Sequence, residues 1–90
     1  MTNEFIFGPR VAADHFARNK RWRPQGRASW LKPNGTCVQF LAFEEQLAAI
    51  SKGERVYVVG QLSLKCLRAL KKGGAIVVQS REITRDNLPD

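Results

Sequence analysis

Ninety residues with fifteen lysines and arginines against eight carboxylates, a formal charge of +7, make one small domain and exclude a membrane-spanning helix, since no apolar run nears the roughly 20 residues a bilayer needs. The surplus of positive charge points to a polyanionic partner. Cys37 and Cys66 lack metal-ligand spacing and are expected as buried thiols, and an amino terminus without the basic-then-apolar order of a secretory signal predicts an intracellular, cytoplasmic protein.

Residues 5–12 read as a first strand that bends at Gly8-Pro9. Residues 13–26 have weak helical character and then meet Pro24 and Gly26, so an irregular loop with a single helical turn is expected. Arg18, Lys20, Arg21 and Arg23 crowd that loop. Trp22, between Arg21 and Arg23, is poorly placed for a core and well placed to offer a ring face between two phosphate-binding charges. His15 stands alone, and no metal site is expected around it.

Residues 27–32 and 36–43 read as strands two and three, joined at Pro33-Asn34-Gly35, because Asn-Gly accepts the positive φ of a tight hairpin. Trp30 shares a face with Ala28 and Lys32 and serves either as a core anchor or as an exposed platform. The alternation in residues 36–43 leaves open which face turns inward. Residues 44–51 predict a short helix with Glu44 and Glu45 in its first turn and an apolar edge of Leu47 and Ile50 that plugs a sheet.

Residues 54–65 are the longest strand that the pattern offers. Val56, Val58, Gly60, Leu62 and Leu64 fall on one side, Tyr57, Val59, Gln61, Ser63 and Lys65 on the other, with Gly60 as a bend. Residues 66–74 then make a basic loop ending in Gly73-Gly74, residues 75–84 a fifth strand, and residues 85–90 a polar tail outside a single domain of residues 1–84.

Charge is unevenly spread along this order. Between Asp14 and Glu44 no acid occurs, yet Arg18, Lys20, Arg21, Arg23, Arg27 and Lys32 do; between Glu54 and Glu82 come Arg55, Lys65, Arg68, Lys71, Lys72 and Arg81, again without a carboxylate. Two such blocks, the first interleaved with Trp22 and Trp30, suit a polyanion.

Five strands with a helix between the third and fourth is the layout of the oligonucleotide/oligosaccharide-binding barrel, an all-β Greek-key fold with nucleic acid across strands two and three. Residues 5–14 resemble the opening strand and turn of bacterial single-stranded DNA-binding proteins. Residues 46–62, with Lys52-Gly53 and then Val56-Tyr57-Val58 and Gly60, resemble their helix, Lys-Gly turn and following strand more closely. Cys37 stands where that family usually has a tryptophan, the hairpin at Pro33-Asn34-Gly35 is short, and the family's acidic tail is missing. The chain is therefore more similar to the primosomal replication proteins related to that family. The resemblance implies a homodimer that is accessory to DNA replication, recombination or repair, with replication or primosome proteins as partners.

The function expected is binding of single-stranded DNA, or of RNA, with little sequence preference, and with no cofactor or metal. Residues assigned to it are Arg18, Lys20, Arg21, Trp22, Arg23, Arg27, Trp30, Lys32, Phe40, Tyr57, Lys65, Arg68, Lys71 and Lys72. The alternative is a homodimeric protein-interaction module whose basic face meets an acidic partner. An enzyme is not expected, because no nucleophile motif, carboxylate cluster or phosphate-cradling glycine loop is present.

Overall fold

The computed structural model describes residues 4–79. Its organising fact is that Phe5, Ile6 and Phe7, like Val56, Tyr57 and Val58, are buried without alternation. A strand buried on both faces is the mark of a parallel sheet covered by helices, and a half-solvated barrel wall would alternate instead. These two runs are β1 (Glu4–Phe7) and β5 (Arg55–Val58), and they pair in parallel.

Between them the chain forms helix α1 (Arg10–Asn19), β2 (Arg23–Pro24), β3 (Ser29–Leu31), β4 (Cys37–Leu41) and a 3-10 helix, Glu44–Ala49. After β5 come helix α2 (Leu64–Lys72) and β6 (Ile76–Gln79). The six strands lie in the order β2-β3-β4-β1-β5-β6. β4, β1, β5 and β6 run parallel, and the β2-β3-β4 edge is antiparallel.

This six-stranded mixed sheet with two helices overturns the expected all-β barrel. Three local readings caused the error. Gly8-Pro9 does not bend a strand but ends β1, and Pro9, extended at φ −60° and ψ 144°, precedes the first turn of α1, where proline's fixed φ is compatible with helix entry. Gly60 lies beyond β5 rather than inside it. Ser63, expected in that strand, instead accepts a bond from the Cys66 amide as the cap of α2, so the expected basic loop of residues 66–74 is largely helix.

The predicted hairpin does form. Ser29, Trp30 and Leu31 pair with Gln39, Val38 and Cys37, and the turn closes as the Gly35 amide donates to the Lys32 carbonyl while Gly35 takes φ 90°. Val38 and Phe40 face α1, and Leu41 faces the opposite side, which resolves the face the alternation left open.

Strand alternation divides the core into two layers. One holds Ile6, Ala13, Phe16, Ala17, Trp22, Trp30, Val38, Tyr57 and Val59 under α1; the other holds Phe5, Phe7, Leu41, Leu47, Val56, Val58 and Leu70 under α2 and the 3-10 helix. Cys37 is exposed and Cys66 half-buried, both free thiols, which corrects the buried placement expected. Among the described residues no helix is long and apolar enough to cross a membrane. Arg81, the end of the fifth strand and the tail of residues 85–90 lie outside the described residues.

Candidate functional site

In open α/β sheets ligands commonly bind beyond the carboxyl ends of the strands, where the chain leaves neighbouring strands in opposite directions. Here that place lies between β1 and β5, and it is closed by backbone contact. A methyl group on Gly60 would come within 2.6 Å of Pro9 Cδ and 3.1 Å of Gly8 Cα, and one on Gly8, at φ +150°, within 2.8 Å of the Gly60 nitrogen.

An open depression of ≈ 520 Å³ remains beside it, lined by Phe7, Gly8, Pro9, Arg10, Phe40, Ala42 and Gln61. Its cation is already committed. Arg10 meets Asp14 at 3.2 Å, donates to the Arg27 carbonyl, and lies 5.0 Å from the centroid of the Trp30 ring and 5.3 Å from that of Phe40. It braces the start of α1 against the hairpin.

The opposite end of the sheet differs. α1 runs back toward the amino ends of the parallel strands and stops there through a left-handed turn: the Arg21 amide donates to the Arg18 carbonyl and the Trp22 amide to the Ala17 carbonyl. Arg21 sits at φ 60°, the one non-glycine residue with positive φ among those described. Glycine is the usual occupant of this position after a helix, and a residue with a Cβ there costs about 1 kcal/mol. The turn swings Trp22 inward, leaving Arg18, Lys20, Arg21 and Arg23 exposed around it.

Trp22 is thus a core residue, 7 % exposed, packed at 5.4 Å from Phe16 and 5.0 Å from Tyr57 between ring centroids. Its expected role as an open stacking face is corrected. The sequence suggested otherwise because its neighbours are all polar, but the turn reverses the chain within one residue. Trp30, 3 % exposed, resolves as the core anchor, Tyr57 is buried, and Phe40 is half-buried under Arg10. The aromatic floor expected between two basic loops does not exist as an accessible surface.

What the aromatic rings do is hold cations over their faces. Lys20 Nζ stands 5.5 Å from the Phe16 ring centroid and Lys32 Nζ 5.7 Å from that of Tyr57, and Phe16 and Tyr57 touch at 5.5 Å. Below them is a shielded polar cluster. Lys32 Nζ lies 2.9 Å from Glu4 Oε1 and 3.1 Å from the Tyr57 hydroxyl, which itself donates to Glu4 Oε1 at 2.9 Å. Desolvation pulls the Lys32 ammonium down, but its bonds to Glu4 and Tyr57 outweigh this and leave its pKa above the ordinary value.

Arg55, the first residue of β5, pairs in register with Glu4 and adds a second cation whose pKa is raised by bonding to the Tyr57 side chain. Its Nε is buried and has no hydrogen-bond partner among the described residues. Glu4 and Arg55 were not assigned to a site from the sequence. The available signal was an acid and a base, each heading a fully apolar strand.

The rim therefore joins Arg18, Lys20, Arg21, Arg23, Lys32 and Arg55. One carboxylate, Glu4, is bonded within it, and that carboxylate is matched by Lys32. The other assigned residues are elsewhere. Arg27 lies beside Arg10 toward the carboxyl ends. Lys65, Arg68, Lys71 and Lys72 are on α2, whose layer is on the other face of the sheet, so the two basic blocks do not flank a common floor. Among the described residues no group of three or more histidines, cysteines or carboxylates could hold a metal ion. The chain matches no family model, no curated protein and no solved structure.

Proposed function

We propose that the chain binds single-stranded nucleic acid, foremost single-stranded DNA, through phosphate contacts along the rim of Arg18, Lys20, Arg21, Arg23 and Arg55, with Lys32 engaged by Glu4 beneath it. The observation that carries this reading is Arg21. A strained arginine occupies a helix stop where glycine is easier, and strain of this kind marks positions kept for something other than stability. Its neighbours in the same exposed turn are also cations, and no carboxylate occurs between Asp14 and Glu44.

The binding mode follows from burial. With Trp22, Trp30 and Tyr57 inside the protein, bases at this rim have no open tryptophan or tyrosine face to stack on, and affinity rests on neutralised phosphates. Such binding falls with salt, by a slope of about −0.7 per phosphate on single strands, and reads no sequence. Arginine suits this role because its planar fork holds phosphate oxygens in pairs.

Fluorescence anisotropy of labelled oligothymidine and mixed-sequence oligomers, each titrated at several salt concentrations, tests the proposal. Expected are equal affinities for the two sequences, a strong salt dependence, and tryptophan emission that stays unquenched at saturation. Affinity that is insensitive to salt, or strong tryptophan quenching, contradicts it.

A further inference from the structure

On the opposite face of the sheet, the 3-10 helix and α2 do not close on each other. Between them runs a groove of ≈ 340 Å³ lined by Glu44, Leu47, Ala48, Ile50, Cys66, Ala69, Leu70 and Gly73. Its lining is mostly aliphatic, and two large exposed apolar side chains, Phe43 at 65 % and Leu64 at 67 %, adjoin in sequence the residues Glu44 and Ser63 that are bonded at one end of it. The Glu44 carboxylate ties that end together by accepting from the Ser63 amide at 2.9 Å. An exposed apolar patch of this kind, set in a polar rim, marks a surface for another protein.

Charge on the two walls is opposite. α2 carries Lys65, Arg68, Lys71 and Lys72, all exposed, and Lys52 adds its stem against Gly74 at the far end, where a methyl on Gly74 would lie 2.7 Å from Lys52 Cγ. Acids stay with the other wall: Glu44 is held by Ser63, Glu54 accepts from the Ser51 amide, and Glu45 is exposed. A nucleic acid strand would match the α2 wall but has nothing to place in an aliphatic groove.

We propose that this groove docks an acidic amphipathic helix from a partner protein, its apolar side chains seated between the 3-10 helix and α2 and its carboxylates turned toward Lys65 and Lys72, the cations of α2 that helical spacing sets beside the lining residues Cys66, Ala69 and Gly73. This is the helix-in-groove mode, in which apolar anchors on one helix face supply affinity and charge sets orientation. The surface is separate from the rim that is read as a phosphate site, and the inference does not depend on that reading.

The test uses the full chain and a synthetic peptide with leucines at helical spacing and aspartate or glutamate at the outward positions. Backbone amide shifts in two-dimensional NMR should move at residues 43–50 and 64–74, not at residues 18–23. Ala69→Glu and Ala48→Glu, both at exposed positions, should each weaken the peptide at least tenfold while oligonucleotide affinity stays the same. A peptide with its leucines replaced by serine should lose binding equally. The proposal is overturned by any of three results: no peptide binding below about 1 mM, equal binding of the serine peptide, or an oligonucleotide that moves the same groove resonances.

Discussion

The two ends of the parallel strands are built on opposite principles. At the carboxyl ends, Gly8 and Gly60 let two loops touch through their backbones, and Arg10, which lines the depression beside them, is bonded to Asp14 and to the Arg27 carbonyl. At the amino ends, cations outnumber their partners, an arginine is held in a left-handed turn, and a buried carboxylate is matched by a single lysine. One end is optimised for closure and the other carries unspent charge. Topology alone therefore does not set the character of either end of an α/β sheet, and the side chains at each end do.

The contrast can be broken first at the closed end. Gly60→Ala forces a methyl to 2.6 Å from Pro9 Cδ and should cost about 3 kcal/mol, at the top of the overpacking range. Urea unfolding checks this, and oligonucleotide affinity of the folded fraction should remain that of the wild type. A stable variant with lost binding would move the site to the carboxyl ends.

Lys32→Met sharpens the comparison from the other side. It leaves the Glu4 carboxylate with the Tyr57 hydroxyl alone and should cost about 2 kcal/mol, less than a fully buried pair because both side chains keep some solvent contact. The pH dependence has a definite sign. The folded pKa of Lys32 is raised above 10.5, so its contribution is complete below that pH and is lost as pH rises through the folded value. Wild type and Lys32→Met should therefore converge in stability in strongly alkaline solution, and a gap that persists undiminished there would rule out this role for the Lys32 ammonium.

The smallest effect carries opposite signs. Arg21→Gly relieves the left-handed turn and should stabilise the fold by about 1 kcal/mol while weakening oligonucleotide binding. Arg21→Ala removes the charge and keeps the strain, so it should weaken binding without the gain in melting temperature. Equal melting temperatures for the two variants would show that φ 60° costs nothing here.

The hairpin was legible because its signal is local. Asn34 and Gly35 specify the turn, and the Thr36 amide donates to Asn34 Oδ1 at 2.9 Å. The parallel sheet was not, since its pairings join residues far apart in the chain and its two central strands, covered on both faces, lack a period of two. The helices leave a local pattern all the same. Ala13, Phe16 and Ala17 recur at helical spacing and are buried together in α1, and Ser63 followed by Leu67 and Leu70 announces α2.

The basic residues of the site were legible as composition and their partners were not. Arg18, Lys20, Arg21 and Arg23 were assigned to a phosphate surface and do stand exposed together. Trp22 parts from them, because adjacency in sequence is not adjacency of exposure. A left-handed helix stop separates the two within a single residue, and only the fold shows it.

The salt dependence of single-stranded DNA affinity, compared between wild type and the Arg18→Gln, Lys20→Gln, Arg21→Gln triple variant, tests the central claim most directly. A rim that works through phosphates predicts a slope of log affinity against log salt shallower in the variant by about 2, at about 0.7 per lost contact, with urea midpoints alike. Identical slopes for the two proteins would place the contacts elsewhere and contradict the account.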